Sequence, residues 1–203
     1  MSLGPQALEF LYTITHFGEA TIVAPLVCGA IVALWTVGER RNARTIAIAF
    51  ALCLAATVLS KILFMFIYRG GPLRSPSGHT ALATFVYGSL AVLAWKRASF
   101  GALRYLIVAL CVGIVLGVAV SRFKIGGHSR TETAFGLLYG VVAVVVVARR
   151  FAWRPLARSS LALSVVAGVV VTLGAYIVLS SGYFDEESIT DFTHWLRGLA
   201  SRA

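Results

Sequence analysis

Two short polar stretches interrupt long apolar runs, and their residue types suit work on an anion. The first climbs from Lys61 through Arg69, Arg74, Ser77 and Gly78 to His79, and the second holds Arg122, His128 and Glu132. Together they offer up to four cationic side chains, two histidines and one carboxylate. Phosphoryl transfer is mostly a matter of positioning and charge stabilisation, and this inventory fits it. A nucleotide-binding Walker loop, a Gly-rich dinucleotide fingerprint and an Asp/Asn/His set with metal spacing are all missing from the sequence, which favours a route without metal or cofactor.

Each residue has a plainer reading beside the chemical one. Lys61 lies inside an apolar segment, about 10 Å down a helix from its end. It either snorkels to the interface or faces a polar site as a buried cation. Ser77 and Gly78 precede an apolar run, so Ser77 fits an N-cap and Pro76 a loop terminator. The same helix N-terminus, with free N–H groups and the positive end of the dipole, also suits an anion. His79 directly after these residues, beside Arg69 and Arg74, is harder to explain as capping. His128 and Glu132 stand four apart and share one face if a helix begins near His128. Glu132 would then accept a proton from one imidazole nitrogen and raise the basicity of the other. The alternative is a solvated pair at a helix start, with Glu132 favoured by the dipole. Arg122 adds a guanidinium able to fork onto phosphate oxygens.

Elements of a definite kind must position these groups. Apolar segments at 20–37, 45–68, 80–95, 105–120, 132–148 and 161–179 read as about six transmembrane helices. Residues 7–17 read as a short interfacial helix. In the tail, Ile189, Phe192, Trp195, Leu196 and Leu199 recur at helical spacing and read as a second amphipathic helix. The expected fold is an all-α integral membrane bundle forming a single domain over 1–203, with the motif region at 61–132. The chain is 59% hydrophobic and 13% charged, where a soluble domain carries about a quarter charged residues.

The formal net charge of +10 would point to nucleic acid in a soluble protein. Here it is assigned to an anionic ligand and to the loops at 38–44, 96–104 and 149–158, and no nucleic-acid partner is expected. By the positive-inside rule those three loops are cytoplasmic, and the two polar stretches and both termini face outward. The first cationic residue is Arg40, so the first apolar segment lacks the basic flank of a cleavable signal and is expected to be retained. Cys28, Cys53 and Cys111 lie in apolar runs and read as core packing, not as a disulfide framework or zinc site.

The motif residues resemble the three-part signature of the type 2 phosphatidic acid phosphatase family: Lys-x6-Arg-Pro, then Pro-Ser-Gly-His, then Ser-Arg-x5-His-x3-Asp. Pro76-Ser77-Gly78-His79 matches the second part, and Ser121-Arg122 followed by His128 matches the third. By that resemblance His128 is the nucleophile that forms a phosphohistidine, Glu132 orients it and His79 protonates the leaving group. Lys61, Arg69, Ser77, Gly78 and Arg122 hold the phosphate oxygens, and no metal is required. Two departures stand out. Glu132 replaces the family's Asp, and the first motif is looser, since its spacing from Lys61 reaches Tyr68 and Arg69 is followed by Gly70. Arg74 therefore shares the first-motif role with Arg69, which is placed ahead.

The resemblance implies a lipid phosphatase acting on a phosphomonoester or diphosphate at the outer face of a bacterial-type inner membrane. Two alternatives remain at this point: a lipid phosphotransferase using the same histidine, and a protein that binds or transports anionic lipid without turnover.

Overall fold

The computed structural model describes residues 4–67, 75–96, 101–152 and 158–180. Seven helices occupy almost all of this chain, with no strand among the described residues: α1 (Pro5–His16), α2 (Ala20–Thr36), α3 (Arg40–Ile67), α4 (Gly78–Lys96), α5 (Leu103–Lys124), α6 (Arg130–Arg150) and α7 (Arg158–Ser180). Four stretches are long and apolar enough to cross a membrane: Pro5–Thr36, Arg40–Phe64, Leu103–Lys124 and Arg130–Arg150. The outward side chains are apolar too, among them Leu52, Leu59 and Leu63 on α3, Leu106, Leu110 and Leu116 on α5, and Val169, Val170 and Ile177 on α7. Water would penalise such a surface, whereas a bilayer solvates it and leaves the helical backbone bonds satisfied internally. The protein is an all-α membrane bundle.

α4 is its axis, lying between α5 and α6 and also touching α2 and α3. Its buried residues include Thr80, Ala81, Leu82, Ala83, Thr84 and Phe85. Phe85 joins Val23, Val27, Ala49, Cys53 and Val147 in one core cluster, while Ala83 and Tyr87 meet Cys111, Val115 and Val118 in another. Small residues set how near α6 comes. A Cβ at Gly136 would overlap the Ser77 carbonyl oxygen, and one at Gly140 would stand 2.7 Å from the Ala81 carbonyl oxygen. This glycine pair, four residues apart, gives the close backbone approach that drives helix association in lipid. A second close pair joins Gly29 of α2 to Gly168 of α7, where a Cβ on Gly168 would meet the Gly29 carbonyl oxygen at 3.1 Å.

At the end of the bundle holding the basic turns, Asn42 is 2% exposed. It donates to the Ala152 carbonyl at 2.6 Å and accepts from the Ala152 N–H at 2.8 Å, tying the start of α3 to the end of α6. Lys96 donates to the Ala148 carbonyl nearby.

The helices extend past several expected bounds. α3 begins at Arg40, so most of the expected basic turn is its first turn, and α5 continues to Lys124, which puts Ser121 and Arg122 on its last turn. Charged residues do not end a helix on leaving the apolar region, because the backbone ladder continues into the interface. Cys53 and Cys111 are buried as expected, but Cys28 is exposed, on the outward side of α2. The tail helix expected from Ile189 onward lies outside the described residues.

Candidate active site

The site is assembled where α3 and α5 end and where α4 and α6 begin. Ser77 caps α4. Its hydroxyl accepts from the Thr80 N–H at 3.4 Å and pairs with the Thr80 hydroxyl at 3.0 Å, while its carbonyl accepts from the Ala81 N–H at 3.1 Å. The capping role is therefore real, and it leaves Ser77 with 0% exposure at the floor of the site. Gly78 and His79 form the first turn, each partly buried. A Cβ at Gly78 would touch the Thr57 Cγ2 at 3.6 Å, so α3 passes the start of α4 one turn below Lys61.

Two further contacts seat α3 against α6: the Ser60 and Tyr139 hydroxyls at 2.8 Å, and the Phe64 and Phe135 rings at 6.4 Å between centroids. Lys61, partly buried, lies on α3 between these two contacts. Arg122 sits on the last turn of α5, and the loop that follows folds back against it. That loop turns at Gly126, whose φ of 84° lies in the left-handed region that suits glycine. It closes when the His128 N–H donates to the Arg122 carbonyl at 3.1 Å. A methyl group on Gly127 would stand 3.3 Å from the Arg122 Nη2, so the guanidinium folds back over the loop towards His128.

Glu132 joins the two polar stretches. Its Oε1 accepts from the Ser75 N–H at 3.0 Å, and its backbone carbonyl accepts from the Ser77 N–H at 3.0 Å. Its Oε2 accepts from the Ser129 N–H at 2.8 Å and lies 3.3 Å from the His128 Nδ1. The His128 and Glu132 side chains are 10% and 4% exposed. A buried carboxyl group needs hydrogen-bond partners, and here backbone N–H groups from both loops provide them.

Helix α6 does not begin at His128. Ser129 is its N-cap, with its hydroxyl accepting from the Glu132 N–H at 3.2 Å to complete a capping box, and the helix starts at Arg130. The histidine–glutamate contact is thus made from the residue before the cap back onto the first turn. The cap wins the position because Ser is among the preferred N-cap residues and Glu three residues on completes the reciprocal pair.

Of the sequence-derived site residues, Lys61, Ser77, Gly78, His79, Arg122, His128 and Glu132 are gathered at this end. Arg69 and Arg74 lie outside the described residues. Two contributors were not anticipated. Ser75 serves through its backbone N–H, which no side-chain motif reveals. Ser129 was legible, since Ser followed three residues later by Glu is a capping-box signal.

Chemically, the arrangement offers an imidazole held by a buried carboxylate, a helix N-terminus and cations from two other helices, a set suited to an anion at a nucleophilic nitrogen. The family model described as the PAP2 superfamily matches residues 63–156, a segment that includes both polar loops, α4, α5 and α6. No curated protein and no solved structure matches the chain. Over residues 63–156, then, this membrane protein is similar to the PAP2 superfamily, a phosphatase family.

Proposed function

We propose that the protein hydrolyses a phosphomonoester or diphosphate of a lipid at the outer face of a bacterial-type inner membrane, through a phosphohistidine on His128. The observation that carries this reading is the His128 Nδ1 at 3.3 Å from the buried Glu132 carboxylate. With its proton on Nδ1, the ring turns Nε2 to phosphorus. Nε2 attacks, the phosphorus–oxygen bond to the lipid breaks, and His79 gives its proton to the leaving oxygen. His79 then takes a proton from water, the water oxygen attacks phosphorus, the phosphorus–nitrogen bond breaks, and inorganic phosphate leaves with His128 restored.

Lys61, Arg69, Arg122 and the start of α4, with Ser77 and Gly78, hold the phosphate oxygens, with Arg74 sharing the role of Arg69. Their positive charge is aimed at oxygens whose negative charge shifts during transfer, the largest lever in this chemistry. A lipid enters sideways between helices, its head in the polar loops and its chains among the apolar outer faces. The outward placement rests on the basic ends at Arg40, Arg41, Arg149 and Arg150, which lie at the opposite end of the bundle from His128.

The test is phosphate release by purified protein from a panel of lipid phosphates and diphosphates, with chelator present, beside His128→Ala. Release that survives chelator, vanishes in the variant and passes through an acid-labile phosphoenzyme is the expected result. Undiminished release by His128→Ala would overturn the mechanism. A folded wild type that releases nothing from any lipid of the panel would overturn the activity.

A further inference from the structure

The turn between α1 and α2 precedes the segment matched by the family model, yet it packs against the residues that hold the chemistry. A Cβ at Gly18 would stand 2.7 Å from the His79 carbonyl oxygen and 2.9 Å from the Val118 Cγ1. Real Cβ atoms do not approach so closely. Gly18 is not among the glycines with positive φ, so space, not backbone conformation, demands glycine there. Both neighbours are firm. The His79 carbonyl belongs to the first turn of α4, and Val118 has 0% exposure, with its own carbonyl accepting the Ser121 hydroxyl at 2.8 Å.

The turn itself is closed. The Phe17, Gly18 and Glu19 N–H groups donate to the Ile14, Thr15 and His16 carbonyls at 3.2, 3.0 and 3.0 Å. The His16 Nδ1 lies 2.6 Å from the Glu19 Oε1, and the Thr21 hydroxyl donates to the Glu19 Oε2 at 3.3 Å. Outside it, Phe17 sets its ring edge-on to Tyr87 of α4 with centroids 6.5 Å apart. Ile14 packs over Gly117, whose Cβ would meet it at 3.1 Å. A rigid turn anchored on α4 and α5 thus rests against the backbone of His79.

We infer that Gly18 is a positioning residue: the α1–α2 turn sets the seat of the first turn of α4, and so places the His79 imidazole against the leaving oxygen. This rests on the reading of His79 as the proton donor, given above. A methyl group at Gly18 pushes the His79 backbone away and lengthens that proton transfer, leaving the attack by His128 intact.

The experiment compares wild type, Gly18→Ala, His79→Ala and the double variant on an alkyl phosphate and on p-nitrophenyl phosphate, whose leaving group departs without help from an acid. His79→Ala should lose about 10²- to 10⁴-fold in kcat/KM on the alkyl ester and far less on the aryl ester, because kcat/KM reports the steps up to departure of the leaving group and not the later attack of water that His79 also serves. Gly18→Ala should lose about tenfold in kcat/KM on the alkyl ester, the cost of a small misplacement, and keep its kcat/KM on the aryl ester. The double variant should be no slower than His79→Ala, because the two act through one group. Phe17→Ala, which only removes atoms, should show the same substrate-selective loss and serves if Gly18→Ala does not fold. Equal losses on both esters, or none on either, would overturn the positioning role. If His79→Ala itself shows no preference between esters, the reading of His79 fails and the inference falls with it.

Discussion

At the scale of single residues, Glu132 has more partners than one histidine. One carboxylate oxygen faces the Ser75 N–H and the other faces Ser129 and His128, so the side chain spans from the second polar loop to the first. An aspartate, one methylene shorter, cannot keep the cap and the histidine while still reaching Ser75. Glu132→Asp, although it restores the family's motif, should therefore lower kcat/KM by about ten- to a hundredfold, the worth of one hydrogen bond to a charged group. Steady-state kinetics on one lipid phosphate would check this, and a gain in rate would contradict it. The sequence alone raised the substitution as a departure and left its effect open. What it could not display was the partner that makes the longer side chain useful, because a backbone N–H leaves no trace in residue identity.

Among the elements, the contact between α4 and α6 decides whether the site exists. The bond from the Ser77 N–H to the Glu132 carbonyl requires the two helix starts to lie almost in backbone contact, and Gly136 and Gly140 permit it. Gly136→Ala should place its methyl group on the Ser77 carbonyl, cost about 1–3 kcal/mol by overpacking and lower both the thermal midpoint and the turnover. Gly113→Ala and Gly174→Ala, where a Cβ meets nothing within 4 Å, should leave both unchanged. Thermal unfolding in detergent with parallel assays separates the two groups. The spans themselves were largely legible, since 20–37 was expected and α2 covers Ala20–Thr36. The inner ends were less so. Hydropathy falls where Arg40 and Arg122 begin to appear, but the hydrogen-bond ladder does not stop there. The start of α6 moved because a serine cap, not the histidine, ends the loop.

For the whole molecule, the two ends of the bundle carry different chemistry. One end gathers His79, Arg122, His128 and Glu132; the other gathers Arg40, Arg41, Arg149 and Arg150, with Asn42 sewn to Ala152. That separation gives the proposed orientation a direct test in cells. In a Cys28→Ser background, Gly126→Cys in the exposed second polar loop should react with a membrane-impermeant thiol reagent. Gly101→Cys, in the exposed turn before α5, should react only after the membrane is opened. The reverse pattern would place the active end in the cytoplasm. The all-α membrane bundle and the alternation of basic and polar loops were readable from composition, because a bilayer imposes length and charge asymmetry on any chain that crosses it. Which small residues lock the spans together was not readable, since glycine has no hydropathy signal that marks a contact.

The central position of α4 bears also on how the chain enters the membrane. α4 is not among the stretches whose length and composition alone suffice to cross, and it buries Thr80, Thr84 and Ser89 against its neighbours. Two of the helices it packs against, α5 and α6, are synthesised after it. During translation α4 therefore emerges before two of the helices that cover it. Its commitment to the bilayer is a joint event of three helices, so a nascent chain cut short before α6 would leave the histidine at the head of α4 without a settled place in the membrane.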